Sequence, residues 1–186
     1  MAFYTSFIQN ASKNDLYETP GSALDMILER LDPLVDFIWE PFKGTGHSTE
    51  YMRSKGFEVV NGEDPDFFNQ SIPVPSPGKQ LVLVSNPPFS IKKEILIRLN
   101  ELNVRRVALL LPAATLYTKY FHSYSTSQAH DIQMIVHTKR CVFIDPATGE
   151  GATRSNGKKN GSASFDIAWL THGLGLPTGI NFPIVN

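Results

Sequence analysis

Four consecutive residues, Asn86-Pro87-Pro88-Phe89, carry the most specific chemistry in the chain. Two prolines fix an extended, donor-free backbone, so the Asn86 side-chain oxygen and the Pro87 carbonyl can face one point as acceptors. A planar amino group fits that point. Its nitrogen lone pair is delocalised, and two acceptors that take its hydrogens favour a pyramidal, nucleophilic geometry. Phe89 can stack on the ring that bears the amino group. Two further places offer ligand chemistry. The turn Glu40-Pro41-Phe42-Lys43-Gly44-Thr45-Gly46 has glycines that let a ligand approach the backbone closely. Glu63, about twenty residues later, stands where nucleoside-binding sheets place the carboxylate that accepts from ribose hydroxyls. The turn lacks the G-x-x-x-x-G-K-[ST] pattern, and Thr49 replaces the third glycine of a dinucleotide fingerprint, which disfavours phosphate binding.

These residues need elements that bring them to one edge. Thr19-Pro20 opens a helix as N-cap and first-turn proline, with Ala23, Met26, Ile27 and Leu31 at helical spacing, and the helix ends near Pro33. Strand candidates follow at Asp36–Trp39, Phe57–Asn61, Leu81–Ser85, Arg106–Leu111, Ile132–His137, Cys141–Ile144 and Phe165–Leu170. Helical patterns lie between them: one from Ser48 to near Gly56, an amphipathic one at Ile91–Leu102, and one around Thr115–Tyr124. Strands alternating with helices predict a mostly parallel sheet with helices on both faces, finishing in an antiparallel hairpin. In such a sheet ligands bind outside the carboxyl ends of the strands. The Glu40 turn, Glu63 and Asn86 all fall there.

The chain has 186 residues, 41% of them apolar and 19% charged, enough for one domain with a core and no more. A single cysteine, Cys141, and five scattered histidines exclude an internal disulfide and predict no metal site. No run approaches the roughly 18 apolar residues of a membrane span, and the start lacks the pattern of a signal peptide. The expectation is an intracellular protein, in the cytoplasm or, in a eukaryote, the nucleus. Residues 1–90 hold six basic and twelve acidic side chains against eleven and six in 91–186, an asymmetry that suits a polyanionic partner. One domain is expected over 1–186, with an N-terminal arm (1–15), a Gly/Ser/Thr/Lys-rich loop (145–162) and an extended tail (173–186) without regular structure.

The Glu40-to-Gly46 turn and Asn86-Pro87-Pro88-Phe89, in this order and spacing, resemble the S-adenosylmethionine-dependent amino methyltransferases, closest to the DNA adenine-N6 methyltransferases. The resemblance runs from Tyr17 to about Leu170. It implies a Rossmann-like class I methyltransferase fold with a seven-stranded sheet, and S-adenosylmethionine as cofactor. It further implies that Tyr17, Thr19 and Pro20 line the cofactor pocket and that Glu40, Pro41, Phe42, Gly44 and Gly46 hold the methionine moiety. Glu63, or Asp64, would hold the ribose, and Asp66-Phe67-Phe68 the cofactor adenine. Asn86, Pro87, Pro88 and Phe89 become the catalytic tetrapeptide, with Asn86 also beside the cofactor. The expected reaction is methyl transfer to the N6 amino group of adenine in DNA, on a base flipped out or already unpaired. Related motifs in methyltransferases of RNA adenine or guanine, or of release-factor glutamine, leave those substrates as alternatives, as does a catalytically silent nucleic-acid-binding subunit. The family's separate target-recognition segment has no counterpart here, so recognition is expected from a partner subunit or homodimer, or from Lys139, Arg140, Arg154, Lys158 and Lys159 on phosphates.

Overall fold

The computed structural model describes residues 17–129, 131–136, 141–149, 151, 166–177 and 179–181. Its helices are α1 (Gly21–Leu28), α2 (His47–Ser54), α3 (Lys92–Leu102) and α4 (Lys119–Ser127). Its strands are β1 (Asp36–Glu40), β2 (Glu58–Asn61), β3 (Gln80–Ser85), β4 (Val107–Pro112), β5 (Gln133–Val136), β6 (Ile167–His172) and β7 (Gly179–Asn181). They form a seven-stranded sheet in the order β2-β1-β3-β4-β6-β5-β7. β1, β2, β3 and β4 pair in parallel, β6 runs antiparallel to both β4 and β5, and β7 lies parallel to β5. The mostly parallel sheet with an antiparallel β5–β6 pair is the architecture expected from the sequence.

Side-chain alternation along the strands explains why helices must cover both faces. Ile38, Val82, Val84, Ala108 and Leu110 point into one buried cluster with α1, Met52 of α2 and Trp169. Trp39, Leu83, Val107, Leu109 and Leu111 point into the opposite cluster with Ile95, Leu96 and Leu99 of α3 and Phe121 and Tyr124 of α4. Two polar ties cross this core. Trp169 Nε1 donates to the Ala23 carbonyl at 2.7 Å, fastening β6 to α1. At the other end Arg106 pairs with the buried Asp36 carboxylate at 2.5 Å, so the starts of β1 and β4 are held together. No helix among the described residues is long and apolar enough to cross a membrane.

Four local readings change. Cys141–Ile144 is not a strand of the sheet. Cys141 and Phe143 are buried and Val142 is exposed, the alternation of an extended chain, but Ile144 exchanges backbone hydrogen bonds with Glu18 at 2.9 and 3.0 Å instead. Alternation reports a half-buried extended segment and says nothing about its partner. The tail is not wholly irregular either, because Gly179–Asn181 pairs with β5 as a three-residue strand at the edge of the sheet. Pro20, not Thr19, is the N-cap of α1, and no side chain caps that end. The helix expected around Thr115 divides into a 3₁₀ turn at Ala113–Tyr117 and α4, whose first turn is capped by Thr118 Oγ1 accepting from Phe121 N at 3.3 Å.

Candidate active site

At the carboxyl edge of β1, β2 and β3 lies a cleft of about 630 Å³. Its walls come from Tyr17, Glu18 and Thr19 ahead of α1, the turn from Glu40 to Thr45, and His47 and Ser48 of α2. Gly62 to Pro65 after β2, Asn86 and Pro88 after β3, and Pro146 complete them. Residues far apart in the chain therefore meet at the edge where parallel sheets bind ligands.

The turn after β1 is shaped by its glycines. Gly44 and Gly46 have φ of 54° and 96°, left-handed values that a side chain resists, and Gly46 is the N-cap from which α2 starts. Behind the turn, Glu40 is buried. Its Oε1 accepts from Phe42 N at 3.0 Å and from Ser85 Oγ at 2.5 Å, a contact that locks the end of β1 to the end of β3. Burial pushes its carboxyl up to about 8, against which those two hydrogen bonds work. Glu40 is thus largely protonated at neutral pH and shapes the turn without bringing a full charge to the cleft.

The segment after β2 is held by Gln70. Its Nε2 donates to Pro41 O at 3.1 Å and to Asp64 O at 2.6 Å, joining the two loops that form opposite walls. Gly62 has no side chain because Gln70 occupies that space: a Cβ there would sit 1.9 Å from Gln70 Cδ. Asn61 adds a brace, its Nδ2 donating to Glu40 O at 3.0 Å and Thr49 Oγ1 at 2.8 Å. The two acids at this wall differ in availability. Asp64 Oδ1 accepts from Asp66 N at 2.7 Å, whereas exposed Glu63 lines the cleft and makes no hydrogen bond or ion pair among the described residues.

Asn86 and Pro88 line the cleft where β3 ends. The Asn86 Oδ1 atom is closed off from solvent and has no hydrogen-bond partner. A buried, unpaired amide oxygen costs about 1–3 kcal/mol, so one that persists at a cleft wall fits a donor brought by a ligand. Thr19 Oγ1 and His47 Nε2 are also buried and unpartnered on the same walls. Pro87 is buried beneath the bend. Phe89 is half-buried, meets the Phe143 ring edge-on at 6.5 Å, and accepts through its carbonyl from Lys92 Nζ at 2.9 Å.

Of the residues singled out in the sequence, Tyr17, Thr19, Glu40, Pro41, Phe42, Gly44, Glu63, Asn86 and Pro88 line the cleft. Pro20, Gly46, Pro87 and Phe89 support its walls from adjoining positions. Asp66 and Phe67 stand outside the lining. Asp66 Oδ1 caps a short 3₁₀ turn by accepting from Phe68 N at 2.9 Å, and Phe67 is fully buried against Trp39 and Phe42. Lys139, Arg140, Arg154, Lys158 and Lys159 lie outside the described residues. Sequence reasoning passed over Glu18, Lys43, His47, Ser85 and Gln70. His47 follows the last glycine of the turn and Ser85 is the one polar residue ending an apolar strand, both legible signals; Gln70 has none short of the fold.

The fold is that of the Rossmann-like class I methyltransferases. The chain is similar to the crystal structure of a Listeria monocytogenes protein proposed as a class I S-adenosylmethionine-dependent methyltransferase, with a TM-score of 0.55 and 12% identity. That likeness covers 94% of this chain and 68% of the other. A dimethyladenosine transferase from Plasmodium falciparum gives a TM-score of 0.46 at 12% identity, over 84% of this chain and 62% of that one. No protein-family model and no curated protein matches the chain.

Proposed function

We propose that the protein is an S-adenosylmethionine-dependent methyltransferase that modifies an exocyclic amino group, the N6 amino group of adenine in DNA. The observation that carries the reading is the unpartnered Asn86 Oδ1 at a rigid diproline bend on a nucleoside-sized cleft. The cleft volume falls within the usual range for small-molecule sites. Its walls supply what the cofactor needs: a glycine turn beside the backbone and Glu63 free to accept from ribose hydroxyls. S-adenosylmethionine supplies an electrophilic methyl group on a sulfonium. The chain supplies position and acceptors: Asn86 takes a hydrogen of the amino group and orients its lone pair, and Phe89 adds an aromatic surface beside it. As the nitrogen becomes cationic during attack, the Asn86 oxygen dipole stabilises the developing charge.

Two measurements test the proposal. Incubation with labelled cofactor and unmodified DNA or RNA, followed by nucleoside analysis, should yield N6-methyladenine from DNA; label in RNA alone, or none, would overturn the substrate or the activity. Asn86→Ala should lower turnover by about 10²–10³-fold while cofactor affinity stays close to that of the parent protein. Unchanged turnover in that variant would remove Asn86 from the chemistry.

A further inference from the structure

The turn Ala113–Tyr117 leaves the carboxyl end of β4 as Asn86-Pro87-Pro88-Phe89 leaves that of β3, and the two strands are parallel neighbours. Leu116 and Tyr120 pack on the same buried cluster as Phe89, so this turn and the start of α4 flank the bend. We propose that Lys93, Tyr117 and Lys119 form a face that holds an unpaired DNA strand as it delivers its base to Asn86, a deeper reading that rests on the proposed methyltransferase activity. None of the three lines the cleft itself.

Tyr117 is 90% exposed, the most open of the large apolar side chains among the described residues. A ring left in water adds nothing to the core, and a base taken out of its stack supplies the aromatic face it lacks. The two lysines are brought beside it by a tie at the far end of their helices. Asn100 Oδ1 of α3 accepts from Ser127 Oγ at 2.8 Å and from Gln128 Nε2 at 2.7 Å, which sets α3 and α4 in parallel. Lys93 precedes Asn100 by seven residues and Lys119 precedes Ser127 by eight, so both stand about 10–12 Å above the tie, at one level. Seven residues is two helical turns, which puts Lys93 on the Asn100 side of α3, turned toward α4. Both lysines are exposed and make no hydrogen bond or ion pair among the described residues, whereas half-buried Lys92 is engaged by the Phe89 carbonyl. Their placement does not serve the helices, because a cation in the first turn opposes the helix dipole. Neither helix has a basic residue in its last turn; Glu94 is the acid in the first turn of α3, and α4 has none. An anion brought to this edge accounts for such a charge pattern, and a phosphate backbone supplies it. A duplex would meet the lysines while keeping its bases stacked away from Tyr117; an unpaired strand uses all three groups.

Fluorescence anisotropy with a labelled single-stranded DNA of about 12 nucleotides, and with the same sequence as a duplex, tests this. The parent protein should bind the single strand more tightly. Lys93→Ala combined with Lys119→Ala should weaken that binding and lower the slope of log affinity against log salt by about 1.4, the share of two phosphates on a single strand. Tyr117→Ala should weaken it by about tenfold with the salt slope unchanged, and Tyr117→Phe should keep the parent affinity, because the ring and not the hydroxyl stacks. S-adenosylhomocysteine affinity, measured alongside by calorimetry, should match the parent protein in every variant, as expected for exposed positions outside the cleft. Tighter binding of the duplex overturns the unpaired strand. Parent-like DNA affinity and salt slope in the variants overturns the face, as does a parent protein that binds S-adenosylhomocysteine but neither DNA, or a variant that loses both ligands together. A parent protein that does not bind S-adenosylhomocysteine overturns the methyltransferase reading instead.

Discussion

Glu40 sits at the buried end of β1 with its carboxyl raised to about 8 by burial, and this makes it a stability switch as well as part of the turn. In the unfolded chain the same group titrates near its ordinary value of 4.5. Between those values the folded protein holds a proton that the unfolded chain releases, so rising pH favours unfolding. The stabilisation is present below the unfolded value and is lost as pH climbs through the folded one. Glu40→Gln keeps the shape and an acceptor for Phe42 N and Ser85 Oγ but cannot ionise. Its urea midpoint should stay flat from about pH 7 to about 8, where that of the parent protein declines. Parallel declines in both proteins would show that Glu40 is not the group responsible.

At the level of elements, the site depends on how loops are tied to each other more than on any one loop. Gln70 bridges the walls after β1 and β2, and Gly62 leaves it room. Gly62→Ala places a methyl inside the Gln70 side chain and should cost about 1–3 kcal/mol, read from denaturant unfolding. Gln70→Ala on its own should also destabilise, because it abandons the Pro41 and Asp64 carbonyls. Combined, the two changes should cost less than their sum, since removing the glutamine removes the clash; strict additivity would refute the packing account. Strands and helices were legible at this scale because Leu81–Ser85 and Arg106–Leu111 are apolar runs bounded by turn signals. The pairing of Ile144 with Glu18 was not, because extended backbone has the same alternation whether it joins a sheet or braces a loop.

Across the whole molecule, a second buried titratable group works in the opposite direction from Glu40. His172 ends β6, is 3% exposed, and has an unpartnered Nε2. Burial lowers it to about 4, partly offset by the Asp131 charge. Below the ordinary value of 6.5 the unfolded chain takes up a proton that the folded protein refuses, so stability falls as pH drops from there toward about 4. With Glu40 limiting the alkaline side, thermal stability should peak between about pH 5 and 7. His172→Gln should flatten the acid limb and leave the alkaline limb unchanged in a thermal melt series. An acid limb of parent steepness would assign acid sensitivity to other groups.

The sequence by itself determined the order of elements and the chemical character of the Asn86 bend, since local periodicity and proline geometry act over a few residues. It also placed the Glu40 turn and Glu63 at strand ends, which a parallel sheet gathers on one edge. Only the tertiary structure decided which groups face the cleft and which are consumed inside the protein. Asp66 carries the same side chain as any ligand-binding acid, but it stands outside the lining and its Oδ1 accepts from the Phe68 amide at 2.9 Å, whereas Asp64 lines the cleft with one oxygen engaged by the Asp66 amide at 2.7 Å. Glu18 and His47, separated by 29 positions, became a pair because a bridge to Ile144 and the Gly46 turn bring two segments to one wall. Such partnerships depend on distances across the fold, which no local spacing in a chain encodes.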